Sequence, residues 1–342
     1  MKKITGGAKS TSRIYRDEFA DSLKATLIFF VVYGHILEFN IPDESINCTI
    51  RNFIYLFHMP LFIFLSGMFA HIKDRRKYMK SIIMLIETYL IFHLLHYLVP
   101  LPYYRPLTLL NYIIYPTWTM WYLLSLASWR LIVYAIGETT MRKKKVLFIT
   151  FSIIISILGG FVPVGPHLSL QRTMCFLPFF VCGFYCNMSD MRYAISRIPI
   201  VLAMTICVCA TVGLYFFVKI NLGYIVLGSS NYYVNDNPII SLILRLLFFV
   251  CTIILSVSVA RLVPTNKYLA DIGRHTLFIY IVHSFVAVVI LLIMRSYPFM
   301  GSTLSILLLS TITTIGLYIL AKTKINLILN PISNLYSFIK KQ

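Results

Sequence analysis

The residues with the clearest chemical potential near the start of the chain are a lysine and a histidine inside one apolar segment, DSLKATLIFFVVYGHI. Lys24 and His35 are eleven positions apart, which in an α-helix places them about 16 Å apart along the axis. A lysine or histidine within a bilayer is costly and is retained where it serves a pathway or a site. We therefore expect Lys24 to be an anchor near one membrane face and His35 to be a reactive group at the middle of the membrane or beyond it.

Other polar residues are expected at a depth similar to that of His35. Glu38 follows His35 by three residues, and this spacing places both side chains on one face of a helix. His58 lies toward the corresponding end of the second apolar segment. The other members of this set occur at or within later apolar segments: Trp118, Trp121, Arg172 and His283. Together they indicate a reactive site in the half of the membrane opposite Lys24, rather than a path for an apolar solute.

Each of these residues also has an interpretation without catalysis. Trp118 and Trp121 fit the aromatic belt at a membrane interface. Arg172 fits a cation at a helix end whose charged group reaches water. His58 can be a hydrogen-bonded packing residue, and Glu38 can face the outer solvent. The residue types and spacing leave these alternatives open.

Three histidines, His71, His93 and His96, could suggest a metal site, and the last two are one helical turn apart. The sequence has no H-E-x-x-H motif and no carboxylate placed as a companion ligand. Its seven cysteines lie mostly in apolar segments without paired metal-ligand spacing. We therefore expect neither a metal cofactor nor a disulfide framework.

Composition places the chain among membrane proteins. It is 58% hydrophobic and 13% charged, with a mean hydropathy of +0.79, which excludes an ordinary soluble domain. The net charge of +19 could suggest a nucleic-acid partner, but the basic residues of membrane proteins collect in cytoplasmic loops. We expect no nucleic acid. The first residues, MKKITGGAKSTSRIYRDEF, are polar without an apolar core, so we expect them to stay in the cytoplasm.

Apolar segments long enough to cross a bilayer recur along the chain. Read between polar breaks, ten such segments lie at 22–39, 52–71, 81–100, 118–137, 146–164, 171–188, 198–218, 238–260, 276–295 and 302–321. With the N-terminus inside, 24 of the 31 Lys and Arg residues fall in cytoplasmic segments and five in outer segments. The sequence therefore predicts an all-α, polytopic integral membrane protein with about ten transmembrane helices and both termini in the cytoplasm.

This topology divides the chain into three parts. Residues 1–21 are predicted to be a cytoplasmic N-terminal segment, residues 22–322 a transmembrane domain, and residues 323–342 a short cytoplasmic tail. The sequence PTNKYLADIGRH, between the eighth and ninth apolar segments, could form a short interfacial helix.

Five motifs occur in order along these segments: RDEFADSLKATLIFFVVYGHI, FHMPLFIFLSGMF, MWYLLSLASWR, RTMCFLPFFVCGFY and IGRHTLFIYIVH. Together they resemble the acyltransferase family 3 membrane enzymes, and most of all the branch of fucose 4-O-acetylases and related sugar acetyltransferases. The resemblance covers residues 15–290. A single motif such as HMPLF is weak, whereas five ordered matches on one hydrophobic frame are specific.

The resemblance implies roles for individual residues. The first helix of the family carries a basic residue, ten intervening residues and a histidine, a pattern that Lys24 and His35 match. His35 is thereby implied to be catalytic, and Lys24 to hold acyl-CoA or the helix geometry. A second family pattern is a pair of basic residues, usually arginines, separated by two positions at the cytoplasmic start of the third helix. Lys77 and Lys80 match it in charge only, because lysine lacks the fork with which arginine binds phosphate.

The resemblance also implies a reaction. A sugar hydroxyl that attacks an acyl thioester needs a general base, and His35 can serve as that base if Glu38 orients it. The developing oxyanion needs fixed donors or cations, which His58, Arg172 and Trp121 could supply. The phosphates of cytoplasmic CoA are expected to bind basic residues at the inner mouth: Lys24, Lys77, Lys80, Arg75 and Arg76.

The function that these features favour is transfer of an acyl group, most simply from acetyl-CoA, to a sugar hydroxyl of an envelope polysaccharide or lipid-linked glycan. We expect the protein to lie in the inner membrane of a bacterium, where membrane lipids surround it. A polysaccharide exporter or flippase component is one alternative, and a structural subunit of a glycan synthase is another. A glycan conduit would need a broad polar stripe along many helices, whereas the sequence shows few intramembrane polar residues beyond those named. The sugar, its hydroxyl and the choice between acetyl and succinyl stay open.

Overall fold

Helices make up the regular structure of the residues that the structure describes. A computed structural model describes residues 17–38, 46–98, 114–164, 167–216, 227–234, 237–297 and 301–323. Its α-helices are, in chain order, α1 (Glu18–Glu38), α2 (Ile46–Met68), α3 (Arg75–Leu98), α4 (Trp121–Ile136), α5 (Glu138–Lys143), α6 (Lys145–Leu158), α7 (Leu170–Tyr185), α8 (Met188–Ser196), α9 (Ile200–Phe216), α10 (Pro238–Leu262), α11 (Lys267–Gly273), α12 (Thr276–Ser296) and α13 (Thr303–Ala321). Short 3-10 helices occur at Gly159–Phe161, His167–Ser169 and Tyr232–Val234. Within the described ranges there is no strand, so the all-α prediction is confirmed for them.

Several of these helices can cross a membrane. Six are long and apolar enough by themselves, namely α1, α2, α3, α10, α12 and α13. The helices α8 and α9 pass the same test as a pair but are bent by 87°. The bend falls at Pro199, which precedes α9 and cannot continue the helix before it. The shorter helices α4 and α6 are also apolar. The chain is therefore an integral membrane protein.

Each of the ten predicted segments overlaps one of these helices. The count of ten crossings and the cytoplasmic side of both termini stay predictions. Most of the two predicted terminal segments, residues 1–16 and 324–342, lies outside the described residues.

The helices α1 and α2 form the interior of the molecule. In the most apolar stretch of each, 72% of the residues are buried, against 33% in α10 and in α13. The helix α1 packs against α2, α11, α12 and α13. Because α1 is enclosed by other helices, polar side chains on it face protein rather than lipid, and it can hold reactive groups at a fixed depth.

The segment PTNKYLADIGRH forms the short helix α11, as the sequence suggested. The side chain of Asn266 caps this helix by accepting from the backbone N–H of Tyr268. The backbone carbonyl of Asn266 accepts a hydrogen bond from Ser22 Oγ of α1 at 3.1 Å. At the other end of α11, Gly273 lies directly against the backbone carbonyl of Asp21. These contacts fix the N-terminal end of α1, where Lys24 lies.

Close contact between α2 and α7 depends on two glycines. A methyl group on Gly67 would overlap the backbone carbonyl of Phe180, and one on Gly183 would overlap the carbonyl of Phe64. Small residues at such positions let membrane helices approach until their backbones touch. This contact positions α7, and therefore Arg172, against α2.

Gly67→Ala is expected to lower the free energy of unfolding by about 3 kcal/mol, because a clash with backbone cannot be relieved by a rotamer change. Thermal unfolding of the purified protein in detergent measures this effect. Gly316→Ala in α13 is the matched control, since a methyl group there would meet no atom within 4 Å, and its midpoint should equal or slightly exceed that of the wild type. Equal midpoints for the two variants would contradict the close packing of α2 and α7.

On the side predicted to be cytoplasmic, Glu138 ties the turn after α2 to α5. Its carboxylate accepts hydrogen bonds from the backbone N–H of Ile72 at 2.5 Å and from Arg142 Nε at 2.8 Å. His71 Nδ1 lies 3.3 Å from the same carboxylate. Burial raises the pKa of Glu138, but the hydrogen bonds from Arg142 and Ile72 outweigh it and hold the pKa below its usual value. The carboxylate therefore stays ionised at neutral pH and is fully engaged by these neighbours.

Candidate active site

The end of α1 that is predicted to be outer carries His35 and Glu38, and their side chains meet. His35 Nδ1 lies 3.2 Å from Glu38 Oε2. An ionised carboxylate only accepts hydrogen bonds, so Nδ1–H is the donor and Nε2 keeps its lone pair. This proton position follows from the hydrogen-bond network. The His35 side chain is 12% exposed, and it lines a pocket. The arrangement is that of an oriented imidazole base.

Glu38 accepts hydrogen bonds from two further side chains. Tyr55 of α2 donates its hydroxyl at 3.0 Å, and Trp118, just before α4, donates its indole N–H at 2.9 Å. Both bonds go to the same Oε2 atom that His35 contacts. Three separate parts of the chain therefore hold one carboxylate oxygen, and Trp118 has a role beyond that of an interfacial belt residue.

Two other rings pack against the His35 ring. Its centroid is 4.7 Å from Trp118, at 72° between planes, and 5.3 Å from His283, at 30°. His283 comes from α12 and donates its Nδ1–H to the backbone carbonyl of Tyr280 at 2.6 Å. Its Nε2 atom is buried and has no hydrogen-bond partner among the described residues. Helix α12 therefore also contributes a ring that packs against His35.

His58 lies in the same pocket, on α2. Its Nδ1 donates to the backbone carbonyl of Ile54 at 2.8 Å, and its ring centroid is 5.0 Å from that of Tyr55. His58 is 3% exposed. Its Nδ1 is therefore satisfied as in a packing histidine, while its position among the pocket residues is the one expected of a residue that contacts substrate.

The pocket is lined by aromatic rings and a few convergent polar groups. Its residues come from α1, α2, the start of α4, the start of α7, α12 and the segment that follows residue 226: His35, Glu38, Tyr55, His58, Met59, Trp118, Trp121, Arg172, Phe176, Leu227 and Tyr280. A concave site with this lining is typical of small-molecule binding. Five of the residues singled out from the sequence for chemistry or oxyanion binding therefore meet in one place.

Arg172 supplies a cation to this pocket. Its guanidinium carbon lies 5.0 Å from the centroid of the Trp121 ring, and its Nε donates to the backbone carbonyl of Leu227 at 3.2 Å. Trp121 in turn stacks on Phe176 at 5.6 Å. None of the ion pairs among the described residues includes Arg172. The guanidinium is therefore held in place without a direct ion pair, although the carboxylate of Glu38 lines the same pocket, and it can stabilise developing negative charge.

Lys24 lies at the opposite end of α1. Its Nζ is 2.5 Å from Asp21 Oδ1 and 5.6 Å from the centroid of the Phe69 ring. Asp21 Oδ2 is also 3.7 Å from Arg274 Nε. Helix geometry keeps Lys24 about 16 Å along the axis from His35. Lys24 is therefore not part of the pocket, and its place near the other membrane face stays a prediction.

The basic residues at the start of α3 differ in their contacts. The guanidinium of Arg75 lies 4.3 Å from the centroid of the Tyr134 ring. Arg76, Lys77 and Lys80 are exposed, whereas Tyr78 between them is buried. The expected phosphate-binding cations therefore do not line the pocket, and their place at the cytoplasmic surface stays a prediction.

Two of the histidines that could have suggested a metal are engaged by different hydroxyl groups. His93 Nδ1 is 3.0 Å from Thr117 Oγ1, and His96 Nε2 is 2.9 Å from Ser284 Oγ. Over the described ranges, no group of three or more His, Cys, Asp or Glu residues is arranged to hold a metal ion.

Tyr55 and Tyr280 are pocket residues that the sequence analysis did not identify, and His283 was placed only by depth. Tyr55 could have been found, because it precedes His58 by three residues and so shares its helix face. Tyr280 precedes His283 on α12 by the same three residues. The contact of His283 with His35, however, depends on how α12 is rotated about its axis. A single sequence carries no signal for that rotation.

Comparison with known proteins gives one family and no individual relative. No curated protein and no solved structure matches the chain. The family model described as an acyltransferase domain matches residues 17–322, a range that contains every pocket residue from His35 to Tyr280. Since this match covers most of the 342 residues, the chain belongs to the acyltransferase 3 family and is a membrane acyltransferase.

Proposed function

We propose that this acyltransferase moves an acyl group, acetyl in the simplest case, from acyl-CoA to a sugar hydroxyl of an envelope polysaccharide or lipid-linked glycan. This is the activity of the fucose 4-O-acetylase-like branch that the sequence resembles. The observation that carries the proposal is the His35–Glu38 contact in a pocket that also holds Arg172. An oriented imidazole beside a fixed cation provides what acyl transfer to a hydroxyl requires.

The chemistry follows from the positions of these groups. A sugar hydroxyl does not ionise at neutral pH, so Nε2 of His35 removes its proton as the oxygen bonds to the thioester carbon. The carbonyl oxygen becomes an oxyanion, which the guanidinium of Arg172 stabilises. When the intermediate collapses, the carbon–sulfur bond breaks and the proton on His35 passes to the leaving thiolate. Glu38 stabilises the imidazolium between these two steps.

The proposed donor reaches this pocket from the other side of the membrane. CoA is cytoplasmic and carries several phosphates, which the exposed cations Arg76, Lys77 and Lys80 and the nearby Lys24 and Arg75 can attract. The pantetheine arm of CoA is long and thin enough to cross the protein interior between these cations and His35. The CoA phosphates then stay at the cytoplasmic face while the acyl carbon lies in the pocket.

The pocket also suits a carbohydrate acceptor. The ring of Trp118 provides a flat apolar surface against which the C–H face of a sugar ring can pack. His58 and Arg172 supply polar groups at the pocket wall that can fix hydroxyls. We place the protein in a bacterial inner membrane with both termini in the cytoplasm, because that orientation puts the pocket in the outer half and the Lys and Arg residues inside.

Mass spectrometry of envelope glycans from cells with and without the protein tests this function. The expected result is loss of one kind of acyl group from a sugar, with an unchanged amount of glycan at the cell surface. The mass of the lost group distinguishes acetyl from succinyl. Glycan that accumulates inside the cell, with normal acylation of the chains that reach the surface, would contradict the proposal and favour an exporter.

A further inference from the structure

A series of aromatic and polar side chains leads from the pocket toward the cytoplasmic side. From His35 the rings follow one another through His283 at 5.3 Å, Tyr280 at 5.9 Å and Tyr122 at a further 5.3 Å. The hydroxyl of Tyr122 is 2.6 Å from Ser66 Oγ. These residues belong to α1, α12, α4 and α2, which enclose them. Polar atoms are therefore present along an otherwise apolar interior, in the direction that a donor arm would take.

Two arginines and two parallel tyrosine rings lie at the inner end of α4. The guanidinium carbon of Arg130 is 4.6 Å from the centroid of the Tyr78 ring, and that of Arg75 is 4.3 Å from the Tyr134 ring. The Tyr78 and Tyr134 rings are 6.4 Å apart at 9° between planes. The rings hold both guanidinium groups in place by cation–π contact and use no carboxylate to do so.

Arg130 lacks a counter-ion in this cluster. Its Nε atom is buried without a hydrogen-bond partner among the described residues. It takes part in none of the ion pairs found in the described ranges. The carboxylate of Glu138, on the next helix, is already bound by Arg142 and by the backbone N–H of Ile72. An arginine inside an apolar helix without a paired charge is costly, which makes Arg130 a candidate for a functional role.

The depth of Arg130 matches that of Lys24. Arg130 follows the pocket residue Trp121 by nine positions on α4, which places it about 14 Å inward along the helix. Lys24 precedes His35 by eleven positions, or about 16 Å. Two cations thus lie at a similar distance below the pocket. Lys24 is paired with Asp21 at 2.5 Å, whereas Arg130 carries its charge without such a partner.

We propose that Arg130 binds the phosphate that joins the pantetheine arm to the rest of the thioester donor, and that the arm follows the series of rings from Tyr122 to His35. This inference rests on the proposed function, because it takes acyl-CoA as the donor. Arginine suits the role because its planar fork binds phosphate through two hydrogen bonds. The exposed Lys77 and Lys80 then bind the CoA phosphates that lie farther from the pantetheine arm. Arg130 determines how far the arm extends into the protein.

Calorimetric titration of the purified full-length protein in lipid nanodiscs with CoA, and separately with pantetheine, tests this assignment. Arg130→Gln removes the charge and keeps a polar side chain, so CoA should bind about 10- to 100-fold more weakly. Pantetheine has no phosphate, and its affinity should be equal for wild type and variant. Arg130→Lys keeps the charge without the planar fork, so its affinity for CoA should lie between those of the wild type and Arg130→Gln. It also provides the comparison if the glutamine variant does not fold.

Arg245→Gln is the matched control. Arg245 likewise lies against a tyrosine ring within an apolar helix, 5.0 Å from the centroid of Tyr232, but it donates to the backbone carbonyl of Ser230 on the predicted outer side. The affinity of the Arg245→Gln variant for CoA should equal that of the wild type. Unchanged CoA affinity in folded Arg130→Gln would overturn the inference and leave the proposed function intact. A wild type that binds no CoA would instead contradict the donor in the proposed function.

Discussion

Replacing His35 with alanine is expected to lower acyl transfer by at least ~10²-fold, because it removes the proposed general base. Alanine is small and favours helix, and the substituted residue lies in a pocket, so the helices should still assemble. The amount of glycan at the cell surface should stay near the wild-type level. The measurement is the acyl content per glycan, determined by mass spectrometry from cells that hold equal amounts of each protein.

Two further variants separate loss of the base from loss of packing. His35→Gln keeps some hydrogen bonding without a usable base and should be as inactive as the alanine variant. His96→Gln is the control, since His96 is a buried histidine that contacts Ser284 and Phe285 outside the pocket, and it should keep most activity. A well-expressed His35→Ala protein that acylates glycan at the wild-type rate would show that His35 is not the base.

Glu38→Gln is expected to lower acyl transfer by about 10²- to 10⁴-fold, since loss of an orienting carboxylate lets the imidazole take the wrong tautomer. The amide of glutamine can donate to Nδ1 of His35, which moves the imidazole proton to Nε2 and removes the base. The same glycan measurement reports the effect. Protein levels and thermal midpoints should match those of the wild type because the two side chains have nearly the same shape.

Tyr55→Phe is the control for the Glu38 variant. It removes one of the donors to Glu38 Oε2 and leaves the bonds from His35 and Trp118. We expect a loss of about 10-fold, in keeping with one hydrogen bond to a charged group. Equal losses for Tyr55→Phe and Glu38→Gln would mean that the hydrogen-bond network as a whole, rather than the carboxylate, supports catalysis.

Much of the helical frame could be predicted from the sequence because apolar length is a local property. The predicted segments 238–260 and 276–295, for example, agree closely with Pro238–Leu262 and Thr276–Ser296. Hydropathy does not show where a helix bends or how deeply it is buried. The apolar segment at 198–218 therefore did not predict that α9 and the preceding α8 form one bent pair. Likewise, the segment at 171–188 did not predict that the backbone of α7 packs directly against that of α2.

The site was predictable to the extent that single helices determine it. The contact of His35 with Glu38 follows from their spacing on α1, and the depths of His58 and Arg172 follow from the predicted topology. The partners that need two helices at a given rotation did not follow. Arg130 illustrates this most clearly, because in the sequence it is only a charge within an apolar segment, while in the structure it lies over the ring of Tyr78.

The central claim is that this chain transfers an acyl group from acyl-CoA to a sugar hydroxyl through His35. The most direct measurement uses purified protein in liposomes, isotope-labelled acetyl-CoA on the side of its basic loops, and glycan from cells that lack the protein. Wild-type protein should place the label on a sugar hydroxyl, and His35→Ala at equal amount should place almost none. A folded wild-type protein that leaves the glycan unlabelled, with the label still on CoA, would contradict the account.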